Sequence, residues 1–78
     1  MFKVFISKAT EGLLFSILAT EVSIPTEEEE ITILDFHQPI IARLKSGVIR
    51  IDHKRKFTIT DGIAYFNNNE LKMVVETK

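Results

Sequence analysis

Residues 26–51 read TEEEEITILDFHQPIIARLKSGVIRI, and the order of elements in this stretch decides the fold class. An acidic turn runs into the apolar residues Ile31, Ile33 and Leu34. A His37-Gln38-Pro39 corner follows, then Ile40, Ile41 and Leu44, a Lys45-Ser46-Gly47 turn, and a third apolar run through Val48, Ile49 and Ile51. Short apolar runs separated by turn-forming residues read as tightly connected β-strands.

The same reading extends in both directions. Phe2, Val4 and Ile6 recur with period two around Lys3, as in a strand with one face buried, although Phe5 interrupts the alternation. Residues 13–22 fit two descriptions, because Leu14, Ile17, Leu18 and Val22 also lie on one helical face. Gly12 before the segment, Thr20 within it and the Ser-Ile-Pro that ends at Pro25 suit a single strand that bends or bulges. Further strands are predicted at residues 30–34, 40–44, 48–52, 56–60, 63–67 and 71–76. The connections at residues 45–47, 52–55, 61–62 and 67–69 carry Gly, Asn or Asp, which tolerate positive φ or make side-chain turns. The expectation is an all-β fold: residues 1–78 form a single domain, a small two-sheet β-sandwich (a flattened barrel) of about eight to ten short strands.

A chain of 78 residues buries only roughly 60% of the surface its unfolded form exposes, and such a core rarely supplies more than about 3–5 kcal/mol. There is no cysteine, and His37 and His53 alone are too few for a structural zinc site, so no metal is expected and a partner subunit is the remaining source of stability. The formal net charge of −1 argues against nucleic acid, whose phosphate backbone asks for a basic surface. No apolar run approaches the roughly 20 residues of a membrane span, and Met1 leads straight into the first strand with no secretory or organellar leader pattern. A cytosolic protein is expected.

Four segments invite a chemical reading. The glutamates at residues 27–30 need a solvated turn or a basic partner, and they lack the Asp-x-Asp-x-Asp-Gly spacing of a calcium loop. His37 stands in a corner stiffened by Pro39, where an imidazole is held at a fixed angle and most often bonds locally. Asp35, His37 and Ser46 make a nucleophilic triad only on paper, since no Gly-x-Ser-x-Gly elbow accompanies them; no catalytic residue is assigned. Arg50, His53, Lys54, Arg55 and Lys56, next to Phe57, read as a solvated hairpin tip, because a single-strand platform needs more exposed aromatics. The Lys45-Ser46-Gly47 turn lacks the spacing of a phosphate loop, and no cofactor is assigned.

Taken together, the motifs resemble those of one family, the epsilon subunit of the F-type ATP synthase in its N-terminal β-sandwich domain. The likeness begins at residues 7–15, SKATEGLLF, which resemble the family's first hairpin, and continues through Val22-Ser23-Ile24-Pro25 and the acidic turn ending at Glu30. His37 and Pro39 match a His-Ala-Pro corner, residues 44–48 a Leu-Lys-Pro-Gly-Val turn, Asp61-Gly62 a Gly-Gly bulge, and residues 67–71 the last hairpin. Glu29, Phe36 and Asp61 stand where the family has glycine, Asp35 and Ser46 where it has proline, and Gln38 where it has alanine. The family continues into a helical hairpin that restrains ATP hydrolysis and in some members binds ATP; the sequence ends at Lys78, so neither property is carried over.

The resemblance implies a non-catalytic rotor subunit of a proton- or sodium-translocating ATP synthase. Such a subunit packs on gamma and sits against the polar loops of the c-ring, so that rotation reaches the catalytic head. Glu30 matches a position facing the c-ring loops, Glu28 and Glu29 extend that acidity, and His37 matches a position near gamma. It also implies a monomer when isolated, touching the membrane only through the complex at the cytoplasmic face of the bacterial inner membrane. The alternative is a small β-domain binding module for a peptide or single-stranded nucleic acid, centred on residues 50–57.

Overall fold

In a computed structural model, residues 1–77 are described, and they form nine strands with no helix among them. In chain order these are β1 (Phe2–Lys8), β2 (Gly12–Ala19), β3 (Glu21–Pro25), β4 (Glu30–Leu34), β5 (Ile40–Leu44), β6 (Gly47–Ile51), β7 (Arg55–Ile59), β8 (Asp61–Asn67) and β9 (Glu70–Glu76). Five strands make one sheet in the order β2-β1-β9-β8-β5, and four make the other in the order β4-β3-β6-β7. All pairings are antiparallel except β1 with β9.

Alternation builds the core. Phe2, Val4 and Ile6 of β1 and Leu71, Met73 and Val75 of β9 point inward from the larger sheet. They meet Val22, Ile24, Ile33, Ile49, Ile51 and Ile59 from the smaller one. Each such side chain, fully buried, contributes about 1.5–3 kcal/mol of transfer free energy. Along one side the sheets are joined by a Thr26–Leu44 bridge, with Lys45 N–H donating to Pro25 O at 3.0 Å. Along the other, Phe15 of β2 stacks on Phe57 of β7 with centroids 4.8 Å apart. The result is the expected sandwich, closed toward a barrel at both sides.

Residues 13–22 are not one strand. The chain leaves the larger sheet at Ala19, turns at Thr20 and enters the smaller sheet at Glu21, so β2 and β3 belong to different layers. Apolar residues on both sides of Thr20 hid the break, because each strand is buried against a different partner. A second correction concerns Asp61-Gly62, which opens β8 instead of forming a turn; Thr60 alone connects β7 to β8. The Lys45-Ser46-Gly47 connection also uses no positive φ, and Gly47 is required for space: a Cβ there would lie 2.9 Å from Cβ of Pro25.

Other turns follow the residue chemistry. Asn68 and Asn69 (φ 50° and 57°) form the two-residue hairpin between β8 and β9, whose primed geometry asks for positive φ at both positions. Asp52 and His53 (φ 51° and 57°) turn β6 into β7. Of the three residues that replace the family's glycines, only Phe36 adopts a left-handed conformation, at φ 59°.

Candidate functional site

Strand register puts the sequence-predicted contacts at opposite ends of the sandwich. Glu28 and Glu29 lie in the β3–β4 turn and Glu30 opens β4, at the end that also holds the β1–β2 hairpin, Asp61 and Glu76. His37 follows the other end of β4, beside the Asn68-Asn69 hairpin and Met1. Each β4 residue advances about 3.3 Å, so the two groups are separated by roughly the length of the strand.

The acidic turn is tightly built. Thr26, buried, has its hydroxyl against the carbonyl of Glu29 and accepts the Glu29 N–H at 3.0 Å, while Thr26 N–H donates to Glu29 O at 3.1 Å. These bonds push the carboxylates of Glu27, Glu28 and Glu29 into solvent. Glu27 pairs with Arg43 at 3.0 Å, and Arg43 also reaches Asp61 at 3.5 Å. Glu30 pairs across the smaller sheet with Arg50 at 3.4 Å. Glu28 and Glu29 have no such partner among the described residues, which leaves them the freer charges of the group. A cleft of about 300 Å³ runs between this turn and β5, lined by Glu27, Glu28, Glu29, Ile31, Ile41 and Arg43.

His37 is half-buried. Its ring stands edge-on to Phe66 at 5.9 Å, and Phe66 in turn meets Phe2 edge-on at 5.5 Å, so the imidazole covers one end of the core. Nδ1 lies 2.7 Å from the carbonyl oxygen of Gln38. A carbonyl only accepts, so Nδ1 carries the proton and Nε2 is the nitrogen left for an outside partner. Asp35 is engaged elsewhere, by the Met1 amino group at 2.8 Å and the Asn69 amide at 3.1 Å, and these donors hold its carboxyl below the ordinary carboxylate range. Ser46 sits in the β5–β6 turn at the far end. The paper triad is therefore not assembled.

Sequence reasoning missed an exposed apolar sheet face. The outer face of the five-stranded sheet carries Leu18 of β2, Phe5 of β1, Val74 of β9, Ile63 and Tyr65 of β8 and Ile41 of β5. Ile41 is 73% and Ile63 55% exposed, and Ile41 faces Tyr65 while Ile63 faces Val74. A groove of about 410 Å³ continues this face between Lys3, Phe5, Ser16 and Leu18. The outer face of the smaller sheet is more mixed: Glu30, Thr32, Arg50, Lys56 and Thr58 surround the buried Ser23, with exposed Leu34 and half-buried Val48 among them. The signal in the sequence was the outward positions of β5, β8 and β9, where Ile41, Ile63, Tyr65 and Val74 are apolar although a solvated face calls for polar residues.

The basic cluster is spread over the β6–β7 turn, with His53 3.1 Å from Glu21 and Arg50 already paired. Phe57 spends its ring on Phe15 in the stack described above, so it is not a free platform for a nucleobase.

A family model described as the ATP synthase delta/epsilon chain β-sandwich domain matches residues 5–78. The chain belongs to this family. Among its relatives, an ATP synthase epsilon chain of Pelagibacter ubique is 35% identical over 79 aligned positions, which cover 97% of this chain and 61% of the relative. An "ATP synthase epsilon chain 2" of Nitrobacter hamburgensis is 31% identical over 70, covering 86% and 52%. This delta/epsilon-type domain thus spans between about half and three-fifths of the length of these relatives. The fold recurs in the central stalk/c-ring structure of the Tetrahymena thermophila mitochondrial ATP synthase, with TM-score 0.78, 16% identity and coverage of 95% of this chain and 62% of that one. It recurs also in the Euglena gracilis mitochondrial ATP synthase, with TM-score 0.79, 19% identity and coverage of 92% and 48%.

Proposed function

We propose that residues 1–78 fold as one domain that serves as a non-catalytic central-stalk element of an F-type ATP synthase. In this reading the outer face of the five-stranded sheet packs on gamma, and the acidic turn with Glu28, Glu29 and Glu30 meets the polar loops of the c-ring. His37, at the opposite end, orients the gamma contact through Nε2. Torque then passes from ring to shaft through a rigid two-layer body that performs no chemistry. The protein is peripheral, held through the complex at the cytoplasmic face of the bacterial inner membrane, and monomeric when isolated.

The observation that carries the reading is the segregation of surface, in a member of this family, into one exposed apolar sheet face and one acidic end. Contiguous exposed apolar area of this kind marks a surface made to be covered. An acidic tip facing basic loops orients docking and speeds encounter more than it tightens the complex.

The test is binding to purified gamma from the same organism, followed by calorimetry and thermal melting. Gamma at about 100 times its Kd stabilises the domain by about 2.7 kcal/mol. For a domain of this size that raises Tm by on the order of 10 °C. No heat of binding and an unchanged Tm at saturating gamma would overturn the reading.

A further inference from the structure

The apolar outer face contains three cations, Arg43, which is paired with Glu27 and Asp61, and two lysines whose placement constrains what covers it. Lys72 of β9 stands in register with Phe5 on one side and Tyr65 on the other, in a row that continues to Ile41. Lys3 of β1 lies one row away, in register with Leu18 and Glu70. Both lysines are exposed. Among the described residues neither ammonium has a carboxylate within 4.0 Å, whereas Lys8 and Arg50 each have one and Arg43 has two.

A purely apolar partner laid over this row would strip water from Lys72 and return nothing, which is costly for a charge. A second copy of the same face is a poor cover as well, because it would bring Lys3, Lys72 and Arg43 against the same set, while its carboxylates lie off the Lys72 row, Glu70 beside Lys3, and Asp61 and Glu76 at the end that holds Arg43. Charge complementarity favours a partner whose apolar surface carries an acidic side chain. With a carboxylate opposite, the lysine stem adds to the apolar cover while its head is paired.

We propose that Lys72 is a specificity-determining residue of this face, and that the gamma surface covering it places a carboxylate among apolar side chains between Phe5 and Tyr65. This rests on the reading of the outer face as the gamma contact. It adds a charge requirement that apolar area alone does not impose: Lys72 rejects a surface lacking an acidic group and fixes the register of one that has it.

The experiment titrates the full chain, Lys72→Met, Lys72→Glu and Ile63→Asp with purified gamma at about 50 and 300 mM salt, a range over which the Debye length falls from about 14 to about 6 Å. The proposal expects Lys72→Met, which keeps the stem, to weaken binding by about tenfold or more, and Lys72→Glu to weaken it further. It also expects the salt dependence of the native chain to be reduced in Lys72→Met. If the native chain binds, Ile63→Asp does not, and Lys72→Met binds within about twofold with the same salt dependence, the charge requirement falls while the gamma face stands. If the native chain fails to bind, or Ile63→Asp binds as well as it does, the face reading falls and takes this proposal with it. A dimer of the chain alone that Lys72→Met tightens would assign the face to a second copy and overturn the proposal.

Discussion

Asp52 Oδ1 accepts both the backbone N–H of Thr20 at 2.9 Å and its hydroxyl at 2.8 Å, and takes the N–H of Glu21 at 2.9 Å as well. Asp52 N–H returns a bond to Glu21 O at 2.9 Å. One carboxylate oxygen therefore fixes the corner at which the chain passes from the larger sheet to the smaller. Replacing it with Ala leaves these donors without their shared acceptor. With discount for the partial exposure of the site, Asp52→Ala costs about 1–2 kcal/mol, read from urea or thermal unfolding. An unchanged midpoint would show that water substitutes fully for the carboxylate.

The same contact predicts acid sensitivity. Partial burial acts to raise the Asp52 pKa, but the Glu21 and Thr20 donors and the Lys54 charge outweigh it and hold the carboxyl below its ordinary value. A depressed folded pKa gives stability that is fully present above the unfolded value of about 3.9 and is lost as pH falls through the lower folded value. Asp35 acts in the same direction, through the Met1 amino group and Asn69. Tm of the native chain should therefore fall on acidification below about pH 4, and Asp52→Asn should flatten that fall. Parallel acid profiles for the two proteins would contradict this role.

Phe36 occupies φ 59° with its side chain 84% exposed, while Asn69 Oδ1 holds its N–H at 2.7 Å. The ring gains almost nothing from packing, and a bulky residue in the left-handed region is strained. Phe36→Gly relieves that strain at the cost of a looser unfolded chain, for a net gain of about 0.5–1 kcal/mol. A rise in Tm of several degrees is the expected reading, and a fall would mean that the ring has a contact of its own.

Gly47 and Gly12 separate space from conformation. A Cβ on Gly47 collides with Pro25, whereas at Gly12 nothing lies within 4 Å but φ is +78°. Gly47→Ala should cost about 1–3 kcal/mol by overpacking, and Gly12→Ala about 1 kcal/mol by backbone strain alone. Denaturant midpoints of the two variants give the comparison; equal stability of Gly47→Ala and the native chain would mean that Pro25 yields without loss.

Much of the layer structure was legible in residue alternation. Phe2, Val4 and Ile6, and again Leu71, Met73 and Val75, announce their strands because each has one buried face. The switch at Thr20 was not legible, since the bond that makes it comes from Asp52, 32 residues away. Asp61-Gly62 misled for a similar reason: residues that favour turns were used to start a strand, where Gly62 fits because a Cβ would meet Val74 O at 2.8 Å. For the candidate site, the acidic turn and the His37 corner stand out as local patterns. The outer apolar face does not, because it is assembled from one or two residues on each of five strands that only register brings together.

The central claim is that this face is the gamma contact. Hydrogen exchange of the full chain with and without purified gamma, paired with Ile63→Asp and with Thr58→Asp on the opposite face, tests it most directly. The account predicts slowed exchange in β5, β8 and β9 on adding gamma, loss of that protection in Ile63→Asp, and none lost in Thr58→Asp. Protection confined to β6 and β7, or Ile63→Asp binding gamma as the native chain does, would contradict it.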